Sequence, residues 1–191
     1  MNMTVETKTY SLPPVDKAEV LRYSGCAAET EDVSALLETS VSLICEKISP
    51  AVCFCTLPFS ADGDLCSLGT IRFRSADLAR HLSGISRVAL FAATVGIEPD
   101  RLIIRYGRLV PSRGVMLSAV ADERIEALCD MFCRDIGAKS PRFSPGYGDL
   151  PLEIQKDIFA LLNCSKNVGL TLNGSLLMSP SKSVTAIVGI E

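Results

Sequence analysis

The stretch LTLNGSLL, Leu170–Leu177, sets Asn173-Gly174 between two short apolar runs. Asn-Gly tolerates the positive backbone angles that a tight antiparallel turn requires, so this is the strongest short-range hairpin signal in the chain. That signal decides the fold class. Helical and strand patterns alternate along the sequence and would otherwise suit a doubly wound parallel sheet. A hairpin among them predicts an α+β fold, with packed helices on a sheet that is mixed or antiparallel.

Outward from this point, SVTAIVGI (183–190) reads as a final strand, and PLEIQKDIFALLNC (151–164) as a helix with Pro151 in its first turn and Ile154, Ile158 and Leu161 facing inward. Upstream, SRGVMLSAVADERIEALCDMFCRDIGAK (112–139) predicts a long helix that buries Met116, Ala119, Val120, Ile125, Leu128 and Phe132 and ends at Gly137. Pro111 separates it from a helical pattern over 99–110. RVALFAATVG (87–96) reads as a strand buried on both faces, and SADLARHLSG (75–84) as a short helix capped by Ser75 and stopped at Gly84. The turn SADGD (60–64) divides two further strands. In front of these, Asp16 and Gly25 bound one helix; Thr30 caps a second, with Val33, Leu36, Leu37, Val41, Ile44, Cys45 and Ile48 at helical spacing and Pro50 at its end. The expected organisation is one domain over 1–191, made of an N-terminal helical segment (1–50) and a core (51–191).

With 48% apolar and 21% charged residues, the chain is not a largely disordered one. A net charge of -3 and a pI near 5.3 supply no basic field, which argues against nucleic acid and against anionic membrane surfaces as partners. The start, MNMTVETKTYSLPP, has no basic segment leading into an apolar run, and no uninterrupted apolar stretch approaches a membrane span; a cytoplasmic location is expected. Eight cysteines, at 26, 45, 53, 55, 66, 129, 133 and 164, would then be reduced. They form no C-x-x-C pair. Cys53 with Cys55 on a strand face and Cys129 with Cys133 on a helix leave two readings open, small buried hydrophobes or a convergent metal site; we assign no metal ligands.

No phosphate loop, dinucleotide fingerprint or G-x-S-x-G elbow occurs, and the single histidine, His81, lies in a helical pattern, so no catalytic residue is assigned. SPRFSPGYGDLP (140–151) is different. Its prolines restrict the backbone around Arg142, whose guanidinium suits a carboxylate, while Gly146 allows close backbone approach and Tyr147 offers a ring and a hydroxyl. The alternative is a rigid surface turn in which Arg142 makes an ordinary ion pair. Asp122, Glu126 and Asp130 fall in one row on the long helix, either a solvated face or an acidic lining for a ligand that carries an ammonium and a sulfonium.

RFSPGYGDLP, a helix, and then VGLTLNGSLLMSPSKSVTAIVG together resemble the C-terminal activation domain of cobalamin-dependent methionine synthase, with its pattern R-x-x-P-G-Y-x-x-x-P, helix, G-x-x-L-T-E-S and M-x-P-x-x-S-V. Arg142, Pro145, Gly146, Tyr147, Pro151, Gly169, Met178, Pro180, Ser183 and Val184 match it. TVGIEPDRLI and MLSAVADERIEAL extend the likeness over Val88–Gly189, while the first eighty or so residues resemble the front of short stand-alone relatives. The resemblance implies binding of S-adenosylmethionine and docking over the corrinoid of a cobalamin-bearing methyltransferase or methionine synthase on a separate chain. In the family, the ligand's methyl group restores the oxidised cobalt once an electron-donor protein has reduced it. Carried across, Arg142 would grip the methionine carboxylate, Ser144, Pro145, Gly146 and Tyr147 would line the site, and Glu126 would contact the ligand. Met178, Pro180 and Ser183 would form the corrinoid-facing edge.

Three departures stand against these matches. The family's D-W-x-P-F-F segment, whose aspartate helps bind the ligand's amine, has no counterpart in a chain without tryptophan; Asn173-Gly174 replaces Thr-Glu; and the sequence ends at Glu191, ahead of the family's later aromatic contacts. Two functions therefore follow from the resemblance: a stand-alone reactivation subunit, or a non-catalytic corrinoid-protein binding and assembly module that has lost S-adenosylmethionine. A cysteine-based metal or redox protein is a third reading, independent of it.

Overall fold

The computed structural model describes residues 4–26 and 30–191. Its elements in chain order are β1 (Glu6–Thr9), α1 (Lys17–Ser24), α2 (Glu31–Lys47), β2 (Ala51–Asp62), β3 (Leu65–Leu68), β4 (Ile71–Arg74), α3 (Ala76–His81) and β5 (Arg87–Thr94). There follow α4 (Glu98–Leu109), α5 (Pro111–Asp135), α6 (Ile154–Leu162), α7 (Cys164–Val168), β6 (Thr171–Leu172), β7 (Met178–Ser179) and β8 (Ser183–Gly189).

The main sheet runs β4-β3-β2-β5-β8, with β1 also on β2, and all its pairings are antiparallel. The α+β expectation is met, and of its two sheet alternatives the antiparallel one is present. The hairpin that pointed to it lies off the main sheet, however. β6 and β7 pair over only two residues each, and the connection is longer than a two-residue Asn-Gly turn. Asn173 organises that connection: its side-chain Oδ1 accepts from the backbone of Ser175 at 2.9 Å and of Leu177 at 3.0 Å. The hairpins within the main sheet are β2-β3, turning at Gly63 in the SADGD segment, where φ is 60°, and β3-β4, turning at Gly69.

β5 is buried along nearly its whole length because helices cover both faces of the sheet. Cys53, Cys55, Leu57, Val88, Leu90, Ala92 and Ile187 pack with α3, α6 and α7. Residues of opposite parity, Val52, Phe54, Ala89, Phe91, Ala93, Ala186 and Val188, pack against Ile125, Leu128, Cys129 and Phe132 of α5. The other flank of α5 buries Met116, Leu117, Val120 and Ala121 against α1, α2 and α4. All six apolar positions expected to be inward-facing on this helix are buried. α4 crosses it closely at two glycines: a Cβ on Gly114 would lie 2.6 Å from Gly107 Cα, a contact no larger residue permits.

Several boundaries differ from the sequence expectation. The first 50 residues are not wholly helical, since β1 joins the sheet by pairing Glu6–Thr9 with Ala51–Phe54. α6 begins at Ile154 instead of Pro151, because Pro151, Leu152 and Glu153 form successive tight turns whose carbonyls accept from residues 154–156. Its deeply buried C-terminal residue is Leu162; Leu161 is only partly buried. The caps Asp16, Thr30 and Ser75 all accept hydrogen bonds from their helices, as expected of short oxygen-bearing side chains at that position. Among the described residues, no helix is long and apolar enough to cross a membrane.

Candidate functional site

After α5 the chain turns at Gly137 and runs along the outer edge of β8. Lys139 N–H donates to the Gly189 carbonyl at 2.7 Å, Ser140 Oγ accepts from Gly189 N at 2.9 Å, and Phe143 exchanges two 2.9 Å bonds with Ile187. His81 Nε2–H donates to the Pro141 carbonyl at 2.8 Å, and its ring lies against Phe143 with centroids 5.0 Å apart. The lone histidine is thus a strut for this segment. Arg142 sits between these anchors, so its backbone is fixed before its side chain makes any contact.

That side chain turns toward α5 and is mostly buried. Its Nη2 donates to Glu126 Oε2 at 2.7 Å and to Asp130 Oδ1 at 3.0 Å. Burial works against its charge, but Cys129, Glu126 and Asp130 outweigh that effect and hold its pKa above the ordinary arginine value. Burial pushes the Cys129 thiol up to about 12, against the pull of Arg142, so at neutral pH that thiol is a packing group and not a nucleophile. Lys182 Nζ pairs with Asp122 at 2.6 Å. The acidic row of α5 is therefore a ladder that pairs with two cations while its carboxylates stay accessible to water.

Beyond Arg142 the loop folds on itself. Tyr147 N donates to Ser144 O at 3.1 Å, and Gly146 N to Leu150 O at 2.9 Å. Asp149 fastens the loop to the start of α3, accepting from Ser75 Oγ at 2.5 Å, Ala76 N at 2.7 Å and Asp77 N at 3.1 Å. Gly148 has to be glycine at this junction: φ is 52°, and a Cβ would lie 2.3 Å from Asp77 Oδ2.

The Asp149 latch carries a pH dependence. Its bond from Ser75, opposed by desolvation and aided by the Ala76 and Asp77 amides, holds its carboxyl below the ordinary 3.8. A depressed folded-state value means that the contribution is complete above the unfolded pKa and is lost as pH falls through the folded one. The Asp149 carboxyl, followed by NMR, is expected to titrate below 3.8. In Asp149→Ala the Gly146 amide should exchange faster at pH 7; unchanged exchange there would show that the latch does not hold the loop.

These elements enclose a cavity of about 400 Å³ at the sheet edge, lined by Glu126, Pro141, Arg142, Ser144, Pro145, Tyr147, Gln155, Met178, Ser183, Val184 and Thr185. Of the residues singled out in the sequence, Glu126, Arg142, Ser144, Pro145, Tyr147, Met178 and Ser183 converge here, although they come from three separate segments. Gly146 and Pro180 are not in the wall: the Gly146 amide is spent within the loop, and Pro180 is buried, with its carbonyl 2.9 Å from Ser183 Oγ. Ser183 is itself buried, with Oγ also 2.9 Å from Thr94 Oγ1, so it belongs to the cavity floor and not to an outward edge. Of the apolar lining residues Tyr147 is exposed, 62% accessible, and the exposed Leu177, 65% accessible, immediately precedes Met178 of the wall in the chain.

Sequence reasoning missed Gln155 and Thr185. Gln155 follows Ile154 at the buried start of α6, and its Nε2 lies 3.5 Å from Thr185 Oγ1. Ser183 and Thr185 share one face of a buried strand with Ile187, and two hydroxyls in that alternation were the available signal. All eight cysteines are free, and among the described residues no group of three or more His, Cys, Asp or Glu is placed to hold a metal ion.

No family model matches the sequence, and no curated protein matches it. Among solved structures, the MetH reactivation domain bound to AdoHcy superposes with a TM-score of 0.77 at 18% identity, over 98% of this chain and 78% of that one. The chain has the fold of that reactivation domain.

Proposed function

We propose that this protein is a stand-alone reactivation subunit, that it binds S-adenosylmethionine in the cavity beside Arg142, and that it acts on a corrinoid methyltransferase or methionine synthase carried on another chain. The observation that supports this most is the convergence of Arg142, Glu126, Ser144, Pro145, Tyr147 and Met178 on one cavity in a chain with the reactivation-domain fold.

The residues suit such a ligand. A guanidinium with its backbone pinned on both sides is prepared for a carboxylate, because little freedom remains to be lost on binding. Glu126 and Asp130 exceed its charge by one carboxylate, so a ligand that brings one carboxylate and two cationic centres meets a site of complementary net charge. Tyr147 and Met178 offer an aromatic face and a polarisable thioether to the rest of the molecule. When bound, S-adenosylmethionine would supply a sulfonium-borne methyl group, which a cobalamin on the partner would accept after reduction by an electron-donor protein. No side chain of the cavity has to act as a nucleophile; the chain contributes orientation and exclusion of water. Tyr147, Leu177 and Met178 would form the corrin-facing rim, a role that passes to Leu177 from the buried Pro180 and Ser183. Eight free cysteines suit the reducing cytoplasm.

A second reading, an assembly module without S-adenosylmethionine, draws on Arg142 already having two carboxylate partners. The test is reactivation of a purified corrinoid methyltransferase in its oxidised state, with a chemical reductant and S-adenosylmethionine labelled in its methyl group. Turnover and cobalt-bound label that both require this protein are the expected result. Association with the methyltransferase with no label transferred would favour the assembly module.

A further inference from the structure

Among the described residues, two buried side-chain polar atoms lack a hydrogen-bond partner, Ser40 Oγ and Gln155 Oε1. Ser40 is not part of the cavity. Gln155 lines it and is only 6% accessible. Its amide lies beside a buried hydroxyl of β8: Nε2 is 3.5 Å from Thr185 Oγ1, and Thr185 is 2% accessible. Leaving a buried amide oxygen without a donor forfeits a full hydrogen bond, so an orphan acceptor on a residue of the cavity wall marks where a ligand donor belongs.

The other polar groups of the wall indicate which donor. Arg142 offers only N–H groups, so it can take a carboxylate but not an ammonium. Glu126 already accepts from Arg142 at 2.7 Å. Ser183 Oγ is engaged by Thr94 and by the Pro180 carbonyl. An α-amino acid ligand held by Arg142 still has an ammonium to satisfy, and among the acceptors of the wall Gln155 Oε1 is the buried one that has no donor.

We infer that Gln155 Oε1 accepts a hydrogen bond from the α-ammonium of the bound ligand, and that Gln155 thereby selects for ligands that carry that group. This rests on the S-adenosylmethionine site proposed above. A neutral amide does so without adding negative charge beside Glu126, and Thr185 acts as the positioning residue that holds the amide.

The probes are S-adenosylhomocysteine and an analogue lacking only its α-amino group, titrated calorimetrically into the full chain as wild type, Gln155→Leu and Gln155→Glu. Wild type is expected to bind S-adenosylhomocysteine about tenfold or more tightly than the analogue, the range for one hydrogen bond to a charged group. Gln155→Leu should lose about that factor for S-adenosylhomocysteine and little for the analogue, and Gln155→Glu should keep the preference. Equal affinity of wild type for both probes removes Gln155 from this role while leaving the ligand site in place, and needs no variant to fold. Equal weakening of both probes in Gln155→Leu likewise assigns it a structural role only. Binding of neither probe by wild type overturns the ligand site itself, and this inference with it.

Discussion

Arg142→Ala is expected to weaken S-adenosylmethionine binding by about 100- to 1,000-fold, the cost of removing a charged fork that can make two parallel bonds to a carboxylate at a mostly buried position. Two effects act together. The ligand carboxylate loses its counter-charge, and Glu126 with Asp130, now without their shared cation, present two like charges to that carboxylate. Arg142→Lys restores the charge but not the planar fork and should recover only part of the loss. Calorimetric titration, with thermal melting to confirm that each variant is folded, measures both. Undiminished binding in Arg142→Ala would make the residue an ordinary ion-pair member joining α5 to the loop and would remove the central element of the proposed function.

The largest effect on stability is expected at Arg124, on the opposite side of α5. Its guanidinium is 2% accessible and bonds Glu123 twice, Nε to Oε2 at 2.5 Å and Nη2 to Oε1 at 2.7 Å. It also donates to the carbonyls of Pro13 at 2.6 Å and Pro14 at 3.3 Å, while Glu123 Oε1 accepts from Asp16 N at 3.2 Å. This pair is the clasp by which the segment before α1 is held to the core. Arg124→Met leaves a buried carboxylate without its counter-charge and two carbonyls unpaired, so unfolding in urea should show a loss of about 3–5 kcal/mol. Glu123→Leu combined with Arg124→Met removes the stranded charge and should recover part of that loss. Recovery stays incomplete because the Pro13 and Pro14 carbonyls and the Asp16 amide still lack partners. Ligand affinity in the double variant should match wild type, since neither residue lines the cavity. A single Arg124→Met variant as stable as wild type would refute the clasp.

The same helix carries both predictions, and it shows where sequence-level reasoning succeeds. Its apolar positions were legible because a 3.6-residue period records which side of a helix is buried, whatever it packs against. Its charged positions were not. Asp122, Glu126 and Asp130 form a visible row, but nothing in the spacing states that the row meets Arg142 and Lys182 from segments well downstream. Glu123 and Arg124 would pass for surface residues in any composition-based account, yet they are among the most buried charges in the molecule.

By itself, the amino-acid order determined the helices other than α7, the doubly buried strand β5, the caps at Asp16, Thr30 and Ser75, and the stiff loop around Arg142, since each depends on residues within a few positions of one another. Only the tertiary structure decided that β1 joins β2, that Asp149 latches the loop to α3, and that Gln155 reaches the cavity with an unspent oxygen. Local order fixes backbone preference and which side is greasy. Pairing between distant groups depends on which elements come to lie side by side, and a chain read residue by residue carries no mark of that adjacency.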